Sequence, residues 1–267
     1  MNTLKLMNRL RKSDKICPIH HEAMIYIDGI DIDPICQSCQ REQLAIQEAK
    51  ENQERFERFE RRRTIEVLDR LSILGDDDLK ECSLENFETS DQETTIAKAK
   101  AEAIAQSYLD GEQFNCIFTG KAGTGKSHLA YAILKHVNSH SKPRIACLFI
   151  SLVDLLAKVR ESFSGEDRGI SEYQAIELMQ KVDLLVIDDL GTESVFGSNA
   201  KEASDFVQRV LFPVLNARKC TIITTNLSGK EMSQVYNPKI VSRLMKGVDP
   251  EKHLISFRET KDKRRTW

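Results

Sequence analysis

No apolar run in this 267-residue sequence approaches the ~18 to 20 residues needed to cross a bilayer. A helical membrane span is therefore excluded, and no membrane partner is expected. The stretch from Met1 to Lys15 is basic but holds no continuous apolar segment, so no secretory signal is expected either. The expected location is the cytoplasm, where the seven cysteines serve as thiols or metal ligands rather than as a disulfide framework. Charge of one sign is missing too: 39 basic residues against 41 acidic ones leave a net charge of −2, so bulk charge does not point to nucleic acid. No internal repeat or low-complexity segment stands out. What is present, 40% hydrophobic and 30% charged residues, suffices for one large domain, or for one of about 200 residues with a small appendage.

Glycine and proline are absent from Gln40 to Leu74, where Glu, Arg and Gln alternate with sparse apolar residues. Phe56, Phe59, Ile65, Leu68, Leu71 and Leu74 keep roughly helical spacing, which predicts a long, largely exposed helix laced with Glu/Arg pairs. Gly75-Asp76-Asp77-Asp78 ends it. From Leu79 onward short apolar runs alternate with amphipathic stretches. Strands are expected at Asn115–Thr119, Ile145–Ser151, Leu184–Asp188, Thr221–Thr225 and Leu254–Phe257. Helices are expected at Thr94–Leu109, Lys126–Val137, Leu152–Ser162, Ser171–Lys181 and Lys201–Asn216. That alternation implies an α/β fold with a parallel five-stranded sheet between helices. The domain reading is 1–45, a small metal-binding module; 46–78, a helical connector; and 79–267, the α/β domain.

Gly120, Lys121, Ala122, Gly123, Thr124, Gly125, Lys126 and Ser127 form a phosphate-loop pattern, preceded by a strand and followed by helical spacing from Leu129, and these eight residues with His128 are the expected nucleotide contacts. The glycines let consecutive N–H groups turn toward phosphates, and the helix N-terminus adds partial positive charge. Lys126 is expected on the β/γ-phosphates of ATP and Ser127 on Mg²⁺. Leu184-Leu185-Val186-Ile187-Asp188-Asp189 supplies the acidic strand end such a site needs. Asp188 is expected to hold Mg²⁺ through water, and Asp189 to orient or deprotonate the attacking water. Thr221 to Asn226 ends in a third polar group; Asn226 either bridges the γ-phosphate and that water or caps the turn that follows.

With Ile-Asp-Asp-Leu-Gly at 187–191, Thr-Thr-Asn-Leu at 224–227 and Ser83-Leu84-Glu85-Asn86-Phe87 upstream, the phosphate loop resembles the DnaC/DnaI/IstB branch of AAA+ ATPases over about residues 80–260. The resemblance implies an AAA+ domain. It assigns sensor-1 to Asn226 and an arginine finger to Arg243 in Ser242-Arg243-Leu244, reaching the ATP of a neighbouring copy in an ATP-bound homo-oligomer. Most AAA+ proteins carry Glu where Asp189 stands, so slow turnover is expected. About ten residues follow the last strand, too few for the usual helical lid, which leaves sensor-2 unassigned.

Cys17-Pro18-Ile19-His20 and Cys36-Gln37-Ser38-Cys39 are two C-x-x-[CH] pairs separated by fifteen residues, the pattern of a tetrahedral Cys₃His zinc site. His21 is an alternative to His20. Helicase loaders of the DnaI type look similar in having an N-terminal zinc module that contacts the helicase, whereas the IstB-like transposition ATPases do not typically carry one. The resemblance further implies single-stranded DNA contacts from the element after the second strand, with Lys158, Arg160 and Arg168 as candidates. The basic stretch Lys261-Asp262-Lys263-Arg264-Arg265 is a further candidate. The expected function is an ATPase that delivers a replicative DNA helicase to single-stranded DNA, with ATP as an assembly and release switch. The alternatives are an IstB-like regulator of a transposase and an ATP-binding adaptor without significant hydrolysis.

Overall fold

The computed structural model describes residues 9–162, 169–192 and 203–263, and the chain divides into two compact units, Met1–Glu60 and Arg61–Trp267. The first unit has little hydrocarbon to pack. Its hairpin pairs β1 (Leu10–Ile16) antiparallel with β2 (Ala23–Ile27), Leu10 opposite Ile27 and Ile16 opposite Ala23. Among the described residues of this unit only Cys17 and Cys36 are buried. Helix α1 (Gln37–Arg63) buries none of its residues, and Phe56 and Phe59 are 61% and 55% exposed.

The exposed helix does not continue to Leu74. It breaks at Thr64, where φ is −120° and ψ −92°, and α2 (Ile65–Leu71) follows. The reason is burial: Val67 and Leu68 of α2 enter the two cores of the second unit, which the polar repeat before them could not do. Ile73 then continues the sheet of that unit. Its N–H donates to the Phe149 carbonyl at 2.9 Å, and its own carbonyl accepts from Ser151 at 2.7 Å.

The sheet consists of β3 (Asn115–Gly120), β4 (Cys147–Ser151), β5 (Leu184–Leu190), β6 (Thr221–Thr225) and β7 (Leu254–Phe257) in the order β4-β5-β6-β3-β7, all pairs parallel. Both faces are covered, which is why the strands read as near-continuous apolar runs. Leu185, Ile187, Leu148, Ile150 and Ile223 face one core, built with α5 (Leu152–Ser162), α6 (Glu172–Lys181), α7 (Asp205–Ala217), α8 (Gly229–Val235) and α9 (Pro238–Leu244). Leu184, Val186, Phe149, Phe118 and Ile222 face the other, built with α3 (Gln92–Leu109) and α4 (Lys126–His140). The carboxyl ends of β5, β6 and β3 are neighbours, so the acidic pair, Asn226 and the phosphate loop meet at one edge, where parallel sheets bind ligands. No helix is long and apolar enough to cross a membrane among the described residues.

Candidate functional site

The phosphate loop borders a cleft of about 560 Å³. Lys126 is buried, and its ammonium donates to the carbonyls of Gly120 at 2.8 Å and Lys121 at 2.7 Å and to Asn226 Oδ1 at 2.9 Å. The loop and the end of β6 are therefore brought together by the residues expected to share the γ-phosphate. Thr124 Oγ1 donates to the Lys121 carbonyl at 2.9 Å, closing the loop from inside. Leu79, Asn86 and Phe87 line another part of the cleft. Phe87 explains one glycine: Gly125 has φ 95°, and a Cβ there would lie 2.7 Å from the Phe87 ring. His128 serves the same wall, its Nε2 3.0 Å from the Ser83 carbonyl and its ring edge-on to Phe87.

The acidic pair depends on a bulge. Ile187 pairs with Ile223 and Leu190 with Thr225, so Asp188 and Asp189 together oppose Thr224 alone. Strict alternation would send the two carboxylates to opposite faces; instead Asp189 takes φ 57° and lines the cleft. Thr224 ties the bulge. Its hydroxyl donates to Asp188 Oδ1 at 2.6 Å and accepts the Asp189 N–H at 2.9 Å. Burial, and then the neighbouring Asp189 charge, push Asp188 up to about 6, while bonds from Thr224 and Ser127 and the Lys126 charge pull the other way. A buried carboxylate so placed favours a cation, and Mg²⁺ with its hard oxygen preference fits. Thr224 escaped sequence reasoning; the available signal was a hydroxyl on a fully buried strand level with two acids.

In the first unit Cys17, His20, Cys36 and Cys39 bring their ligand atoms within 4.8 Å of one another. Cys17 Sγ and Cys39 Sγ are 3.6 Å apart, and His20 Nδ1 lies 3.8, 3.6 and 3.3 Å from Cys17, Cys36 and Cys39. A tetrahedral zinc with ordinary bond lengths has edges of about 3.8 Å between sulfurs and about 3.6 Å from sulfur to nitrogen. The donor set fits Zn²⁺. The Cys39 N–H points to Cys36 Sγ at 3.5 Å, as in a knuckle turn. Hydrogen bonding from the His20 backbone lowers Cys17 to about 6, and the Cys17 thiol then pushes Cys39 up to about 12. His20 Nε2 meets Glu42 Oε1 at 3.0 Å, the outer bond that orients ligating histidines. His21, at φ 54°, is not part of the four-residue group.

A profile of the IstB-like ATP-binding protein family matches residues 40–256. The chain belongs to this family. Among its relatives, the replicative helicase loader DnaC of Escherichia coli (strain K12) is 28% identical over 166 residues, 62% of this chain and 64% of that protein. DnaC of Buchnera aphidicola subsp. Schizaphis graminum is 27% identical over 167 residues, with the same coverage of 62% and 64%. The chain thus spans just under two thirds of these relatives' length. Among solved structures, the DnaC helicase loader superposes with a TM-score of 0.52 at 20% identity, covering 68% of this chain and 100% of that one. DnaI gives 0.54 at 19% identity, covering 72% and 96%. DnaA bound to AMPPCP and single-stranded DNA gives 0.51 at 19%, covering 67% and 50%. These likenesses establish the AAA+ fold, and ATP is the ligand of the family.

The remaining expected residues lie elsewhere. Arg243, on α9, is not among the cleft-lining residues; it stacks 4.4 Å from the Phe212 ring centre, with Nε on Asn216 Oδ1 at 2.9 Å and Nη1 on the Lys239 carbonyl at 2.9 Å. Lys158 borders a small cleft with Leu68, Asp69 and Tyr131, whereas Arg160 lies over Phe206, 5.8 Å from the ring centre. Arg168 falls outside the described residues. Lys263, in the basic stretch expected near DNA, lines the cleft beside the phosphate loop, 4.8 Å from the Phe87 ring centre.

Proposed function

We propose that this chain is an ATP-dependent loader of a replicative DNA helicase. The module at 1–45, its Cys17, His20, Cys36 and Cys39 closed on Zn²⁺, holds the helicase, and the helix that follows connects it to the ATPase domain. That domain binds ATP through residues 120–128, with Mg²⁺ on Ser127 and, through water, on Asp188. Asp189 and Asn226 position the attacking water, and Arg243 of a neighbouring copy stabilises the transferring phosphoryl group, a task suited to a planar, permanent cation. Arg243 lies outside its own cleft, which supports action in trans. Hydrolysis is slow, so ATP acts as a switch for assembly and release on single-stranded DNA contacted by Lys158, Arg160 and Arg168.

The observation that carries this reading is the four-ligand cluster in its own unit ahead of an ATP-binding domain whose relatives are named helicase loaders. Affinity capture of the cell's replicative helicase by the full chain, with and without ATP, tests it. Failure to capture the helicase in either state would reject the loader.

The family description favours one further reading, an IstB-like ATPase regulating a transposase. It predicts capture of a transposase and no helicase. An adaptor that binds ATP without hydrolysing it predicts that Asp189→Asn leaves function intact while Lys126→Ala removes it.

A further inference from the structure

The segment leaving β7 returns to the phosphate loop, and one side chain holds it on the way. Glu93, in the first turn of α3, accepts the Arg258 N–H on Oε1 at 2.7 Å, and the Glu259 and Thr260 N–H groups on Oε2 at 3.2 and 2.8 Å. The Thr260 hydroxyl donates to the same Oε2, and Thr260 is buried. Three residues further on, the Lys263 N–H donates to the Gly123 carbonyl at 3.0 Å. The Lys263 ammonium donates to the Glu88 carbonyl and lies within the cleft lining. A Cβ on Gly123 would fall 1.7 Å from Asp262 Oδ1, so the segment packs directly on the loop that cradles phosphate. Three residues reach at most ~10 to 11 Å. A fixed Thr260 therefore keeps Lys263 within that distance, and its N–H bond to Gly123 sets it at the cleft.

We propose that Glu93 is a positioning residue for the nucleotide: by pinning Arg258–Thr260 it holds Lys263 where its ammonium meets the polyphosphate of a bound nucleoside triphosphate. Glu93 itself is not among the cleft-lining residues, so it acts through the segment. The chemistry suits a carboxylate, since two acceptor oxygens take four donors; Gln offers one acceptor oxygen and Ala none. The inference rests on the ATP reading of the cleft.

The sign of the effect separates positioning from bulk electrostatics. Removing an acid near an anion site tightens anion binding by charge alone. Loss of the pin weakens it. A fluorescent ATP analogue is titrated into the full chain as wild type, Lys126→Ala, Glu93→Ala, Glu93→Gln, Lys263→Ala and the Glu93→Ala/Lys263→Ala double variant, each checked for a cooperative melt. Expected are loss of binding in Lys126→Ala, at least tenfold weaker binding in Glu93→Ala and a smaller loss in Glu93→Gln. The double variant is expected to bind no more weakly than Lys263→Ala alone. Should Glu93→Ala not fold, Glu93→Gln alone and in the Lys263→Ala background gives the same comparison. Binding within twofold of wild type in both Glu93 variants, or losses that multiply with Lys263→Ala, would overturn the proposal. Absent binding in the wild type would overturn the nucleotide reading, and the positioning role with it.

Discussion

Burial beside a second acid favours the protonated form of Asp188 up to about pH 6, against an ordinary value of 3.8. The stabilising contribution of that form is fully present below about pH 4 and is lost as pH rises through about 6. Asp188→Asn keeps the acceptor for Thr224 and removes the buried charge. Without nucleotide it should melt higher than wild type at pH 8, by on the order of 2–3 kcal/mol. The gain should shrink toward pH 4, and stabilisation by Mg²⁺ and ATP should disappear. A lower melting temperature at pH 8 would mean the charge is already balanced. Thr224→Val leaves Asp188 short of its hydroxyl donor and the Asp189 N–H without its acceptor. It should cost about 1–3 kcal/mol and raise the pH at which Mg²⁺-dependent ATP binding is half-developed, read from titrations across pH 5–8. Asp189 has the left-handed φ that Asp and Asn accept more readily than Glu. Asp189→Glu should therefore cost about 1 kcal/mol in the melt, while the longer acid, reaching further toward the attacking water, raises the single-turnover hydrolysis rate; an unchanged rate would reject the view that the shorter acid limits turnover.

At the scale of elements, the strands buried on both faces and the longer helices of the second unit were legible, whereas the break at Thr64 in the exposed helix was not. Thr221–Thr225, Leu254–Phe257 and Leu152–Ser162 fall where their apolar patterns put them. Helices α8 and α9, seven residues each, present too few turns for a period to show. Their caps are local signals, a Ser228/Glu231 capping box and a proline after Asn237. The acids at the end of β5 were legible as residues, but the bulge that aims them was not, because a bulge arises from pairing with β6 rather than from the run itself. The Lys263 contact was hidden for a similar reason: it depends on Glu93, which lies far earlier in the chain. The Phe87 wall yields a prediction at this scale. Gly125→Ala combines a φ of 95° with a ring 2.7 Å from the new Cβ. It should cost about 1–2 kcal/mol of stability and weaken ATP binding at least tenfold in the same titration, whereas wild-type affinity would show that the loop does not need this wall.

For the whole molecule, the two units draw on different sources of stability. The second buries hydrophobic residues on both sheet faces, while the described part of the first buries only two cysteines. Hydrocarbon cannot hold a hairpin whose strands are mostly exposed. Closure of a Cys₃His set on Zn²⁺ supplies on the order of 10–16 kcal/mol in comparable peptides, enough to do so. The chain as purified should therefore hold one zinc, and dialysis against a strong chelator should remove amide protection from Leu10–Ile27. The calorimetric transition of the second unit and its affinity for ATP should survive, while helicase capture should be lost with the metal. Cys36→Ser should reproduce the chelated state without chelator. Less than stoichiometric zinc in protein that keeps the hairpin protected would reject the metal centre. Loss of ATP binding together with zinc would show instead that the first unit supports the fold of the second, and the metal would then no longer separate partner recognition from the nucleotide switch.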